Sequence, residues 1–221
     1  MSDITLVVGS KNFSSWSLRP YLALAHTGQS FREVLVPLDT PETAALIAMH
    51  SPSGRVPVLK HGDTVVWDSL SICEYLAETF PDARLWPRDS ATRAMARSVT
   101  SEMHSGFQAL RTHLPMDISA RKTVPGVDAP GVHADVARIQ ALWAGCRERY
   151  GKEGPFLFGA FSIADAFYAP VITRFVTYGV PFRPELTAYR DAVLGLPAML
   201  KWTEAAAGEP PLARYRQASK P

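Results

Sequence analysis

The chain has 221 residues, 47% of them hydrophobic and 20% charged, with lysine and arginine exceeding aspartate and glutamate by two. That balance excludes a disordered or fibrous chain, and basic residues scattered without a stripe make nucleic acid a poor partner. Cys73 and Cys146 lie in apolar helix-like stretches without metal-ligand spacing and read as reduced core residues; no metal, no membrane span and no export signal is expected, which points to a cytoplasmic protein.

Residues 4–8 form a β-branched and leucine run that predicts a buried strand, ended by the turn chemistry of Gly9-Ser10-Lys11-Asn12. Leu18, Tyr21, Leu22 and Ala25 then recur with helical spacing until Gly28. Pro20 is tolerable only near a first turn, so this helix is predicted to begin around Trp16 or Ser17. Residues 31–38 predict a second strand, parallel to the first through a right-handed crossover. A short helix over 43–49 follows. The runs 57–60 and 64–67, separated by His61-Gly62-Asp63, predict an antiparallel hairpin. Residues 69–80 place Leu70, Ile72, Cys73, Leu76 and Ala77 on one helical face.

This βαβαββα order occupies residues 1–82, and the proline-containing stretch 83–89 reads as a linker. Over residues 90–221 strand signals nearly vanish. Helical patterns cover 91–114, 132–150, 162–178 and 186–207, with a proline- and glycine-bearing loop over 124–131. The expectation is an α+β N-terminal domain followed by an all-α C-terminal domain.

Four stretches in this element order resemble glutathione transferases across nearly the whole chain. Ser14-Ser15-Trp16-Ser17-Leu18-Arg19-Pro20 resembles the SSCS segment of zeta-class enzymes and the ACSLSP segment of bacterial beta-class ones. The others are Gly54-Arg55-Val56-Pro57-Val58-Leu59, Asp68-Ser69, and Phe161-Ser162-Ile163-Ala164-Asp165-Ala166. The resemblance implies a thioredoxin-like first domain, an all-helical second domain that receives the second substrate, and a homodimer built on the helices that start near residues 69 and 91. Arg93 and Arg97 recur at helical spacing there, on an interface or as solvated charges.

It also implies glutathione as the substrate held by the first domain. Pro57 is expected in the cis form, with the Val56 backbone pairing the cysteinyl residue of glutathione like an extra strand. Asp68 and Ser69 are either a plain helix cap or the group that holds the γ-glutamyl ammonium and carboxylate. Ser162 and Asp165 read as a structural capping arrangement. Lys11 and Arg55 are the basic residues offered for the glycine carboxylate.

A free cysteine thiol titrates near 8.5, and lowering that by two units needs roughly 2.7 kcal/mol of preference for the thiolate. By comparison with the zeta pattern Ser14 takes the hydroxyl role with Ser15 beside it, while one of Ser14, Ser15 or Ser17 caps the helix. Trp16 stands where both relatives have cysteine, so chemistry through a protein thiol is disfavoured. Glu102-Met103-His104-Ser105-Gly106-Phe107 resembles the ELHKGF stretch of beta-class enzymes, which implies a second-substrate pocket lined by Met103, His104 and Phe107. The reading is a transferase that turns glutathione into a thiolate for attack on small hydrophobic electrophiles. The alternatives are a zeta-like isomerase and a non-catalytic glutathione-binding or stress-response module.

Overall fold

The computed structural model describes residues 3–122, 125–210 and 212. β1 (Ile4–Gly9) lies inside a four-stranded sheet of order β2-β1-β3-β4, with β2 at Arg32–Val36, β3 at Val58–His61 and β4 at Thr64–Trp67. β1 and β2 run parallel, joined through α1 (Ser15–His26), and β3 is antiparallel to both β1 and β4. Alternation along β1 splits the core into two layers. Leu6, Val8 and Leu59 belong to the main core with α1 and α3 (Ser69–Thr79), whereas Val7, Val36 and Val58 pack with Ile47 of α2 (Thr43–Ala48). A sheet covered on both faces requires that period of two with apolar residues at every step.

The second domain is mostly helical, built on α4 (Ser90–Ser105), α5 (Gln108–His113), α6 (Val132–Tyr150), α7 (Ile163–Tyr178), α8 (Thr187–Leu194) and α9 (Pro197–Ala207). α7 is apolar nearly all round, and every one of its residues except Val176 is buried. Such a helix can only sit in the middle of a core. It packs against α1 and α4, with Trp143 of α6 and Trp202 of α9 fully enclosed nearby. Its start is sealed. Asp165 Oδ2 accepts from the Ser162 amide at 2.8 Å and the Ser162 hydroxyl at 2.9 Å, while Oδ1 accepts from the Leu157 amide at 3.0 Å.

Two patterns expected as single helices are broken. The 91–114 run divides into α4 and α5 because Gly106 is extended and Phe107 turns left-handed at φ 58°. A Cβ at Gly106 would lie 2.7 Å from the Glu102 carbonyl oxygen, so the turn requires glycine. The 186–207 run divides at Gly195-Leu196, and Pro197 starts α9 at its first position, where its missing N–H is harmless. α1 starts at Ser15, with Ser14 as its cap, and the second strand is shorter than the 31–38 run. Val124 of the expected loop and residues 213–221 of the expected helical domain lie outside the described residues.

Both cysteines are buried free thiols, and burial pushes the Cys146 thiol up to about 11. The turn between β1 and α1 is tied to distant parts of the chain. The Lys11 and Asn12 amides donate to the two Glu209 carboxylate oxygens at 2.7 and 2.9 Å, and the Trp202 indole N–H donates to the Lys11 carbonyl at 2.9 Å. Asn12 Nδ2 donates to Asp117 Oδ1 at 2.9 Å, and its Oδ1 accepts from the Ser119 amide at 2.9 Å.

Candidate active site

A cavity of about 460 Å³ opens where the first turn of α1, the segment before β3 and the start of α3 converge. Ser53, Arg55, Val56 and Pro57 form one wall, Trp67, Asp68 and Ser69 another, and Trp16 stands between them. The Val56–Pro57 peptide bond is cis. Val56 lies just outside the β1–β3 ladder, whose last pair is Val7 with Val58. The sheet thus ends at the cavity wall.

Asp68 precedes α3 in a left-handed conformation, φ 72°. One carboxylate oxygen caps the helix, accepting from the Leu70 amide at 2.8 Å and the Ser71 amide at 3.3 Å. The other lies 3.4 Å from His104 Nε2. Ser69 is buried at the cavity wall, and its hydroxyl accepts from Arg19 Nη1 at 3.4 Å. A buried serine at the positive end of a helix, with an exposed carboxylate beside it, can receive a group that carries both charges.

Both expected thiolate donors are buried at the start of α1, next in sequence to Trp16 of the cavity lining. Ser14 caps α1: its hydroxyl accepts from the Ser17 amide at 3.4 Å and donates to Ser17 Oγ at 2.8 Å. The Ser15 hydroxyl accepts from Arg174 Nη2 of α7 at 3.2 Å, which leaves its own proton for another acceptor.

The two basic residues offered for a carboxylate part company. Arg55 is exposed at the cavity. Lys11 is buried elsewhere, paired with Glu33 at 2.6 Å and placed over the Trp202 and Tyr21 rings.

The triplet expected to line an apolar pocket also divides. Met103 and Phe107 are buried in the main core rather than lining the cavity: Met103 shares the inward face of α4 with Ala96, Val99 and Thr100, and Phe107 sits at the left-handed turn after the break. His104 alone faces the site, edge-on to Trp16 with centroids 5.3 Å apart and beside Phe167. Burial, with Arg19 and Arg111 adding to it against Asp68, holds its imidazole below the ordinary histidine range.

Arg19 was not singled out by sequence reading. It is fully buried, its guanidinium lying 4.3 Å from the Trp16 ring centroid and 4.5 Å from that of Phe167. Arg111 lies 5.0 Å from the same indole and donates to the Gly106 carbonyl at 2.8 Å and to the Met103 carbonyl. The available signal was spacing: Arg19, Leu22 and Ala23 share one helical stripe, and the latter two are core residues. Among the described residues no cluster of three or more histidine, cysteine or acidic side chains is placed to hold a metal.

The N-terminal domain model of glutathione S-transferases matches residues 13–79, and the C-terminal domain model matches residues 94–218. "Glutathione S-transferase 1" of Dianthus caryophyllus is 32% identical over 84% of this chain and 85% of its own length. The "Probable maleylacetoacetate isomerase" of Caenorhabditis elegans is 35% identical over 43% of this chain. The chain spans only 44% of that relative's length, and 64% of another's, an Arabidopsis thaliana "Glutathione S-transferase L1". Among solved structures, the theta class glutathione S-transferase of Xanthomonas axonopodis pv. citri, with glutathione bound, superposes with a TM-score of 0.65 at 25% identity, covering 92% of this chain and 98% of that one.

Proposed function

The chain belongs to the glutathione S-transferase family, and from that premise we propose that it is an enzyme that binds glutathione in the cavity between Trp16, Val56 and Ser69 and turns it into a thiolate. The observation that carries this reading is that Val56, at the end of the β1–β3 ladder, and Asp68 and Ser69, at the start of α3, line one cavity. In it the Val56 backbone pairs with the cysteinyl residue, Ser69 and the first turn of α3 take the γ-glutamyl carboxylate, and Asp68 takes the ammonium. Arg55 takes the glycine carboxylate; Lys11, paired with Glu33, does not.

The sulfur lies at the first turn of α1, where the positive helix end favours an anion. Ser15 adds a hydroxyl donor, since Arg174 occupies its acceptor side and leaves its proton available. Ser14 holds the turn through Ser17. The thiolate then attacks a small hydrophobic electrophile beside Trp16 and His104. A cytoplasmic homodimer completes the reading, and exposed Val65, Trp67 and Met95 supply apolar surface for the second copy.

Thiolate absorbance of bound glutathione, followed against pH, tests the proposal. The bound thiol titrates below its free value near 8.5, and Ser15→Ala raises it by about one unit, the effect of a single hydroxyl donor of roughly 1.4 kcal/mol. A wild-type complex that titrates at the free value removes the proposal.

A glutathione-dependent isomerase is the second reading, favoured by the name of the nematode relative. Turnover of a cis-enone analogue of maleylacetoacetate, with none of a chromogenic aryl halide, selects it.

A further inference from the structure

Arg19 carries a charge that the protein itself does not neutralise. Its side chain is fully buried, Nη1 reaches Ser69 Oγ at 3.4 Å, and among the described residues Nε and Nη2 have no hydrogen-bond partner. Trp16 and Phe167 cover the guanidinium at 4.3 and 4.5 Å. Burial and the like charges of Arg111 and Arg174 disfavour its protonated form, and only Asp68 and Cys73 act the other way. A position that needed apolar packing alone would be better filled by methionine or leucine, because an isolated buried charge is strongly unfavourable. A planar fork with idle donors suits a carboxylate.

Position decides which carboxylate. Arg19 approaches the cavity at Ser69, and Asp68 stands immediately beside it. An α-amino acid head bears a carboxylate and an ammonium on one carbon, which matches Arg19 and Ser69 on one side and Asp68 on the other. The glycine end of glutathione bears a carboxylate alone and does not match. The cover over Arg19 is the partly exposed Trp16 indole, which touches Arg19, Arg111 and His104 through its ring.

We propose that Arg19 is the counter-charge for the α-carboxylate at the γ-glutamyl end of glutathione, reached when the Trp16 indole swings off it. The inference rests on the glutathione reading above and adds to it a buried residue and a movable cover.

Calorimetric titration with two ligands tests it: glutathione, and γ-aminobutyryl-cysteinylglycine, which lacks only that carboxylate. Wild-type protein prefers glutathione by about tenfold to a hundredfold, the worth of one charge-assisted hydrogen bond. Arg19→Met binds both ligands alike, at the level of the analogue, and its unliganded Tm holds or rises. Arg19→Lys, which keeps the charge without the fork, retains a reduced preference and carries the same comparison should the methionine variant not fold. An unchanged preference in the variants, equal weakening of both ligands, or a lower unliganded Tm in Arg19→Met overturns the proposal. Wild-type protein that binds both ligands equally also overturns it, whereas wild-type protein that binds neither removes the glutathione reading itself.

Discussion

Two helices of this chain start on the same pair of residue types. α7 starts with Ser162 and Asp165, α3 with Asp68 and Ser69. At α7 the carboxylate is fully enclosed and both its oxygens accept from the protein itself, one from Ser162 in the same turn and the other from the Leu157 amide in the segment before it. At α3 the carboxylate is exposed, one oxygen caps the helix and the other meets only His104, while the serine lies against an arginine with idle donors. Equal capping chemistry therefore yields a structural joint in one place and an open site in the other. The difference lies in whether the surrounding groups satisfy one another before any ligand arrives.

Asp165→Ala gives the largest expected effect on that contrast. It leaves the Ser162 and Leu157 amides buried without acceptors, at about 1–3 kcal/mol each, so the unfolding free energy falls by about 2–6 kcal/mol. Denaturant titration measures it, and a loss below about 1 kcal/mol would erase the distinction between the two starts. Asp68→Asn comes next. The amide oxygen still caps α3, so stability changes by less than about 0.5 kcal/mol, while glutathione affinity falls roughly tenfold through loss of the charge facing its ammonium. A fold as damaged as that of Asp165→Ala would make α3 a structural joint as well.

The smallest effect concerns pH. The folded state holds His104 below its ordinary range, so between pH 6.5 and 5 the unfolded chain takes up a proton that the folded chain resists. Stability conferred by the neutral imidazole is present above pH 6.5 and fades as the pH falls through the folded value. Wild-type protein loses about a few tenths of a kcal/mol more than His104→Gln over that range, since solvent screens the site. Identical pH profiles would place His104 outside the contrast.

The strands were readable because β-branched runs are local signals, and so was the order of strand and helix in the first domain. The Gly106 and Gly195 breaks were harder. Apolar spacing continues through them, and only the glycines and Pro197 mark where the backbone turns. In the site, motif spacing brought Val56, Pro57, Asp68 and Ser69 to one cavity, because short segments near a sheet edge and a helix start fix their own geometry. The burial of Met103 depends on which face of α4 packs on α7, that of Phe107 on the break after α4, and the pairing of Lys11 on Glu33 and Trp202, which are distant in sequence. Arg19 is the instructive omission. A charged residue on an apolar stripe is legible in one dimension, but that two of its donors find no partner among the described residues is visible only in three.

Glu209 makes the turn ahead of α1 answerable to the opposite end of the polypeptide, 198 positions away for its bond to Lys11. Each carboxylate oxygen steadies one amide of the loop that leads into α1. Shortening the chain to before that glutamate, or crowding it with an appended peptide, would therefore be felt as slack in the machinery of the first domain, so comparisons between tagged and untagged preparations need the same terminal architecture.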